Sequence, residues 1–241
     1  MNSPLCRFLE WDTNHFGFRI GRVQAGKLDP GDPDAIDAWC DAERIRCLYL
    51  LAESADAATA KLAADRGFRF VDIRLTLAMA PPETALVFPS IRPAREQDLP
   101  VLAAIARSSH TDSRFHFDGQ FPPERCDGLY ETWIRRSCQE GYADVVLVAV
   151  HDSRPAGYVT CSAKDDCGQI GLIAVADQAR GSGHGSNLIR AALQWFYEAR
   201  VSRVKVVTQG RNVQAQRLYQ RCGFLTSSVE LWYHRWFPAR E

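Results

Sequence analysis

Ile170-Gly171-Leu172-Ile173-Ala174-Val175-Ala176 is an apolar run, Arg180-Gly181-Ser182-Gly183-His184-Gly185 a glycine-rich turn, and Leu188 to Phe196 an apolar-periodic segment. The order predicts strand, loop, helix. Glycine lets a backbone take positive φ and lie flat against a ligand. The free N–H groups at a helix start present partial positive charge, so the stretch suits an anion, and a diphosphate in particular. Spelling separates it from two common phosphate loops: GxxxxGK[ST] is absent, and the glycines fall as GxGxG rather than GxGxxG. A glycine turn that simply caps a helix is the alternative at this point.

Reading outward from the loop, Asp144 to Val150, Gly157 to Ala163 and Gln169 to Ala176 form three strands, the first two joined by a hairpin at Asp152-Ser153-Arg154-Pro155-Ala156-Gly157. Beyond the loop helix come a strand (Arg203 to Thr208), a helix (Asn212 to Cys222, closed by Gly223) and a long terminal strand from Phe224 to Phe237. An antiparallel meander therefore runs into a βαβαβ tail. On the amino-terminal side of the meander, Ile91 to Leu99 opens a new unit with a short strand and a helix through Leu102, Ile105 and Ala106. Pro122-Pro123-Glu124 starts another helix with Leu129, Trp133, Ile134 and Cys138 on its apolar face. Between them, Ser113 to Pro122 carries three phenylalanines, Arg114, His116 and Asp118 in a stretch too rich in turn formers for a helix. It is read either as a plug between helices or as a binding loop.

The first third predicts ββαβαβ: strands at Leu5–Leu9 and Arg19–Ala25 around a polar and aromatic turn at Trp11–Gly17, a helix at Asp34–Arg46, a buried strand at Cys47–Ala52, a helix at Asp56–Arg66, and a strand at Phe68–Met79 whose alternation slips at Val71 and Asp72. His15 is read there as a turn residue packing its ring. The expected organisation is an α/β (α+β) protein with a smaller amino-terminal mixed-sheet domain at 1–80, a proline-marked linker at 81–90, and a larger domain at 91–241.

Lysine plus arginine equals aspartate plus glutamate at 29 each, so no global field draws the chain to nucleic acid or an anionic membrane. The start of the chain has no apolar signal core and no run is long enough to span a bilayer, which predicts a cytoplasmic protein. None of the eight cysteines has CxxC spacing; buried free thiols are expected, with no metal.

The loop and the later helix carry a resemblance. Val175 with Arg180-Gly181-Ser182-Gly183-His184-Gly185 resembles the RxxGxG/A acyl-CoA loop of the GNAT (GCN5-related N-acetyltransferase) superfamily, and Asn212-Val213-Gln214-Ala215-Gln216-Arg217-Leu218-Tyr219 through Gly223-Phe224 resembles its NxxAxxLYxxxGF helix. Asp177 stands where that family often has proline. The resemblance implies a mixed central sheet with splayed strands and flanking helices, and acetyl-CoA as co-substrate. It implies that Ile173 and Val175 pair with the pantetheine arm, that the amides from Arg180 to Ser186 (Arg180, Gly181, Ser182, Gly183, His184, Gly185, Ser186) hold the pyrophosphate, and that Asn212 completes the donor site. Tyr219 matches the tyrosine that faces the thioester sulfur and is expected to act as general acid; a tyrosine packed beside Leu218 is the structural alternative. His110, His116, His184 and Asp118 are base candidates by type only.

A finer resemblance covers most of the chain. Leu9 to Asp12, Phe16 to Gly21, Ser113 to Asp118 with Phe121-Pro122, Leu129 to Ile134, and Val206 to Gln209 are similar to the dTDP-fucosamine acetyltransferase family. This implies that the acceptor is a small-molecule amine, namely the 4-amine of a dTDP-4-amino-4,6-dideoxyhexose destined for a surface glycan. Arg114, Phe115, His116, Phe117 and Asp118 are the expected acceptor contacts, and a homodimer is admitted as the assembly. Another small-molecule or protein amine, and a non-catalytic acyl-CoA binder, are the competing readings.

Overall fold

A computed structural model describes residues 4–83 and 88–238. In the amino-terminal half, β1 (Cys6–Phe8), α1 (Glu10–Phe16), β2 (Ile20–Val23), α2 (Asp32–Ala42), β3 (Cys47–Glu53), α3 (Ala57–Asp65) and β4 (Arg69–Met79) follow in order. Residues 84–87 of the expected linker lie outside the described residues. Then come β5 (Ile91–Pro93), α4 (Leu99–Ser109), α5 (Arg114–Asp118), α6 (Pro123–Gln139), β6 (Val145–His151), β7 (Arg154–Lys164), β8 (Cys167–Val175), α7 (His184–Glu198), β9 (Arg203–Gln209), α8 (Val213–Arg221) and β10 (Leu225–Trp236).

All ten strands lie in one mixed sheet, ordered β1-β2-β3-β10-β4-β9-β8-β7-β6-β5. Among the described residues, only the β2/β3 and β8/β9 pairs are parallel. The last strand enters between β3 and β4, pairing with both, so the two halves of the chain share backbone hydrogen bonds. The slip in alternation at Val71 has a structural cause: Trp232 opposes Asp72 while Tyr233 opposes Phe70, leaving Val71 as the extra residue of a bulge.

Alternation along the strands divides the core. One face carries Tyr49, Tyr158, Trp232 and Trp236 under α4, α5 and α6. The other carries Val159, Ile170 and Val206 under α7 and α8, sealed by the fully buried Phe196 and Phe224; burying each such side chain contributes about 1.5–3 kcal/mol. Leu48 and Leu50 form a third cluster with α2.

Two expectations are corrected. Trp11–Gly17 is a helix followed by a left-handed residue rather than a turn: Gly17 sits at φ 84° with its N–H on the Thr13 carbonyl, and Glu10 and Asp12 complement the dipole of the first turn. Trp11 stacks on His15 with ring centroids 5.0 Å apart, and Phe16 is buried against Phe115 and Phe121; this tertiary packing holds a helix too short to persist alone. Arg114–Asp118 is also helical, capped by the Ser113 hydroxyl and stopped by Gly119 at φ 75°. His15 does pack its ring, and its Nε2 lies 2.8 Å from the Arg125 carbonyl. All eight cysteines are free thiols, five of them buried. Among the described residues, no helix is long and apolar enough to cross a membrane.

Candidate active site

The parallel strands β8 and β9 pair from Cys167↔Arg203 to Ile170↔Val206, and their register ends there. On its other side β8 keeps pairing with β7, through a break between Val159/Ile173 and Cys161/Ile170. Thr160 fills that break: its Oγ1 accepts from the Leu172 N–H at 2.8 Å. A Cβ on Gly171 would come within 2.7 Å of the same oxygen, so the glycine is required by the close approach. The bulge turns β8 away from β9. Leu172 and Ala176 direct their N–H groups toward β7. By alternation, Ile173 and Val175 direct their N–H and C=O groups into the cleft that opens between the strands, as an extended guest strand requires.

The cleft leads to the glycine loop. Gly181 and Gly183 take φ of 82° and 81°, and Gly183 precedes α7 with no side chain capping it. The N–H groups of Gly181, Ser182, Gly183, His184, Gly185 and Ser186 take no acceptor among the described residues, whereas Asn187 already bonds the Gly183 carbonyl. Arg180 differs from the rest of the run. Its N–H bonds the Asp177 carbonyl and its guanidinium pairs with the Asp177 carboxylate at 2.8 Å. The His184 ring lies beneath the loop, edge-on to His151, with both ring nitrogens buried and unpartnered.

Across the cleft, Asn212 caps α8 by accepting from the Ala215 N–H at 2.9 Å. Tyr219 lies about two helical turns further on, on the same face, packed against Phe224. Burial raises the pKa of its phenol well above the ordinary value, so the hydroxyl keeps its proton at neutral pH. Both residues line the same cavity of about 710 Å³ as the loop and the splayed strand.

The cavity continues to the opposite face of the sheet, where Trp11, Asp12, Asp72, Arg74, His110, Arg114, Phe115, Tyr130, Trp133 and Trp232 enclose it. Of the five residues expected to contact an acceptor, only Arg114 and Phe115 reach it. His116 is held away between Ser113 and Asp127 at 2.8 and 3.0 Å, and Phe117 lies on the surface under Arg211. Asp118 is buried against Trp236 and His234. Among the four base candidates, two line the cavity, His184 at the donor loop and, in the chamber, His110. Its Nε2 lies 3.1 Å from the Tyr158 hydroxyl, its ring stacks on Tyr130, and burial pulls its pKa down to about 4, leaving a neutral imidazole.

Several residues of this chamber carry no local signal in the sequence. Trp232 and His234 read simply as strand residues; their shared parity in β10 is the one hint that they face the same layer. Burial raises the Asp72 pKa to about 6 against the pull of Arg211, whose guanidinium is 3.5 Å away.

A bulged strand parting from its parallel neighbour, a run of open amides at a helix start and a tyrosine across the cleft define an acyl-CoA-binding fold. Residues 110–224 match the Acetyltransferase (GNAT) family, and over that span the chain carries the fold of an acyl-CoA-dependent N-acetyltransferase. The GNAT family uses acetyl-CoA, and the open amides, the free strand edge and the connecting cavity fit that co-substrate.

Relatives narrow the comparison. The chain is 28% identical over 236 residues to dTDP-fucosamine acetyltransferase of Escherichia coli, covering 94% of this chain and 96% of that protein. It is 29% identical over 174 residues to the spore coat polysaccharide biosynthesis protein SpsD of Bacillus subtilis, covering 71% of this chain but only 60% of the length of SpsD. A GCN5-related N-acetyltransferase from Sphaerobacter thermophilus shares the fold with a TM-score of 0.67 at 14% identity, over 98% of this chain and 78% of that one.

Proposed function

We propose that the protein transfers the acetyl group of acetyl-CoA to the 4-amine of a dTDP-4-amino-4,6-dideoxyhexose by direct attack in a ternary complex. The observation that carries this reading is the single cavity that joins the amide loop to an arginine-bearing aromatic chamber through the splay of β8 and β9. A donor entering from the loop and an amine entering from the chamber meet inside it, which replaces a bimolecular encounter by a positioned one. The full-length similarity to dTDP-fucosamine acetyltransferase supports the choice of acceptor.

In this reading Ile173 and Val175 hold the pantetheine amides, and the amides of Gly181 to Ser186 hold the pyrophosphate. The Arg180 amide has no such role because it already closes the Asp177 turn. The neutral amine attacks the thioester carbonyl, a C–N bond forms, and the tetrahedral intermediate expels the CoA thiolate. Tyr219, kept protonated by burial, gives its hydrogen bond and then its proton to the departing sulfur. The surplus amine proton leaves through the cavity to bulk water. Residues 91–241 act as the unit that binds the donor, and residues 1–80 complete the acceptor chamber with Trp11, Asp12, Asp72 and Arg74.

Incubation with acetyl-CoA and dTDP-4-amino-4,6-dideoxygalactose, followed by free-thiol release and product mass, tests the assignment. Acetylated sugar nucleotide is expected; thiol release no faster than the amine-free blank excludes this acceptor. Other small amines in the same assay set the specificity.

A further inference from the structure

Arg114 is held by a chain of buried contacts. Its Nη1 donates to His234 Nε2, and the other ring nitrogen, Nδ1, donates to Asp118 Oδ2. The tautomer is forced, because a guanidinium can only donate and Nε2 must therefore carry the lone pair. Trp236 Nε1 donates to both Asp118 oxygens at 3.1 Å, fixing the carboxylate. The His234 and Asp118 side chains are 0% and 3% exposed, so the relay is closed to water. Burial holds the His234 pKa down at about 4, which leaves the ring neutral between the two charges.

The guanidinium so anchored sits 4.2, 4.2 and 4.1 Å from the centroids of Tyr49, Phe115 and Trp232. It lines the cavity, and among the described residues no carboxylate lies within ion-pair distance of it. One of its five N–H donors has an acceptor. Arg22 repeats the pattern, 5.1 Å over the same Trp232 ring and again with no ion pair among the described residues. Its pKa is lowered by burial and by the nearby Arg114, Arg74 and Arg7. Arg74 is neutralised by Glu230. Asp12 attracts both Arg114 and Arg22 from a distance, Glu230 attracts Arg22 and Asp72 attracts Arg114, but none of the three carboxylates hydrogen-bonds either guanidinium. Two guanidiniums share one tryptophan with neither charge matched, and one faces the acceptor chamber.

We propose that Arg114 binds the diphosphate of the acceptor, with Arg22 as a second cation behind it, and that Asp118 and His234 are positioning residues that aim Arg114. The assignment rests on the nucleotide-sugar reading above and deepens it. A planar fork of free donors takes two phosphate oxygens side by side, and a dianion balances two cations where a single carboxylate does not. Asp118, expected from the sequence to touch the acceptor, acts instead through His234.

Calorimetric titration with dTDP, a probe with no amine, tests the site apart from the chemistry. Saturating CoA is present throughout so that the donor loop is filled. Wild type is expected to bind dTDP, Arg114→Gln to weaken it by about tenfold or more, and Asp118→Asn by about threefold to tenfold, through loss of charge-assisted bonds. CoA affinity within twofold of wild type in each variant reports an intact fold. With the amino sugar as substrate, Asp118→Asn is expected to raise KM and leave kcat, and Arg114→Lys to restore part of the loss. Equal dTDP affinity in wild type and Arg114→Gln overturns the Arg114 site and leaves the nucleotide-sugar reading standing. No dTDP binding by wild type overturns both.

Discussion

At the donor end of the cleft, the groups that face a ligand belong to the backbone of one contiguous run, residues 171–186: a bulged strand edge, then six open amides. At the acceptor end they are side chains gathered from α1, β4, α5, α6 and β10, spanning Trp11 to Trp232. The first end recognises features common to every acyl-CoA ester, and backbone amides suffice for that. The second must tell one amine from another, which requires side chains of particular shape and charge in fixed positions. Under the proposed function, donor binding would depend on backbone conformation and acceptor binding on tertiary assembly, and substitutions at the two ends should have separable effects.

The largest effect is expected where the two ends meet. Tyr219→Phe removes a hydroxyl from the cavity wall while keeping the ring against Phe224. Its kcat is expected to fall by on the order of 10²-fold or more, with the affinities for CoA and dTDP unchanged. Single-turnover rates at saturating substrates measure this, and an unaltered rate removes the general-acid role. Gly183→Ala probes the donor end alone. At φ 81° an added Cβ costs about 1–2 kcal/mol in the left-handed region, and a shifted loop misdirects its amides. Acetyl-CoA KM is expected to rise about tenfold, while dTDP titrations match wild type. A parallel loss of dTDP affinity would break the separation of the two ends.

The same difference explains what was legible in the sequence. Gly181-Ser182-Gly183 and Asn212 with Tyr219 are local patterns whose spacing survives in one dimension, and the strands and helices around them follow their hydrophobic periods. Trp11–Phe16 and Arg114–Asp118 carry no helical signal because they are short and their helicity depends on packing against one another, through Phe16, Phe115 and Phe121. The chamber was the least legible part. His234 and Asp118 are 116 positions apart, and nothing in either neighbourhood announces the other. Insertion of β10 between β3 and β4 creates that contact, and a strand's partners are not written in its own residues.

A smaller effect bears on the acceptor end through Asp72. Its folded pKa of about 6 lies above the 3.8 of a free aspartate, so the fold favours the protonated carboxyl. This contribution to stability is fully present below pH 3.8 and is lost as pH rises to about 6, beyond which the penalty is constant. Asp72→Asn has no such titration. The stability of the variant relative to wild type should therefore increase between pH 4 and pH 7 in urea denaturation, and a pH-independent difference would show that Asp72 is ionised normally.

The smallest effect concerns the floor of the donor loop. His184 opens α7, yet its ring is buried with both nitrogens unpartnered. A buried polar atom left unsatisfied costs about 1–3 kcal/mol. Leucine has a similar size and no such atoms, so His184→Leu is expected to stabilise the fold by about 1 kcal/mol. For a chain of this length that raises Tm by about 2–4 °C in calorimetry. The loop's ligand-facing groups are amides and remain in place, so any gain reports the packing beneath them. A fall in Tm would show instead that the imidazole has a polar partner, such as an ordered water shared with the neighbouring His151. The floor of the donor loop would then be polar, and its stability would depend on a side chain as the acceptor chamber's does.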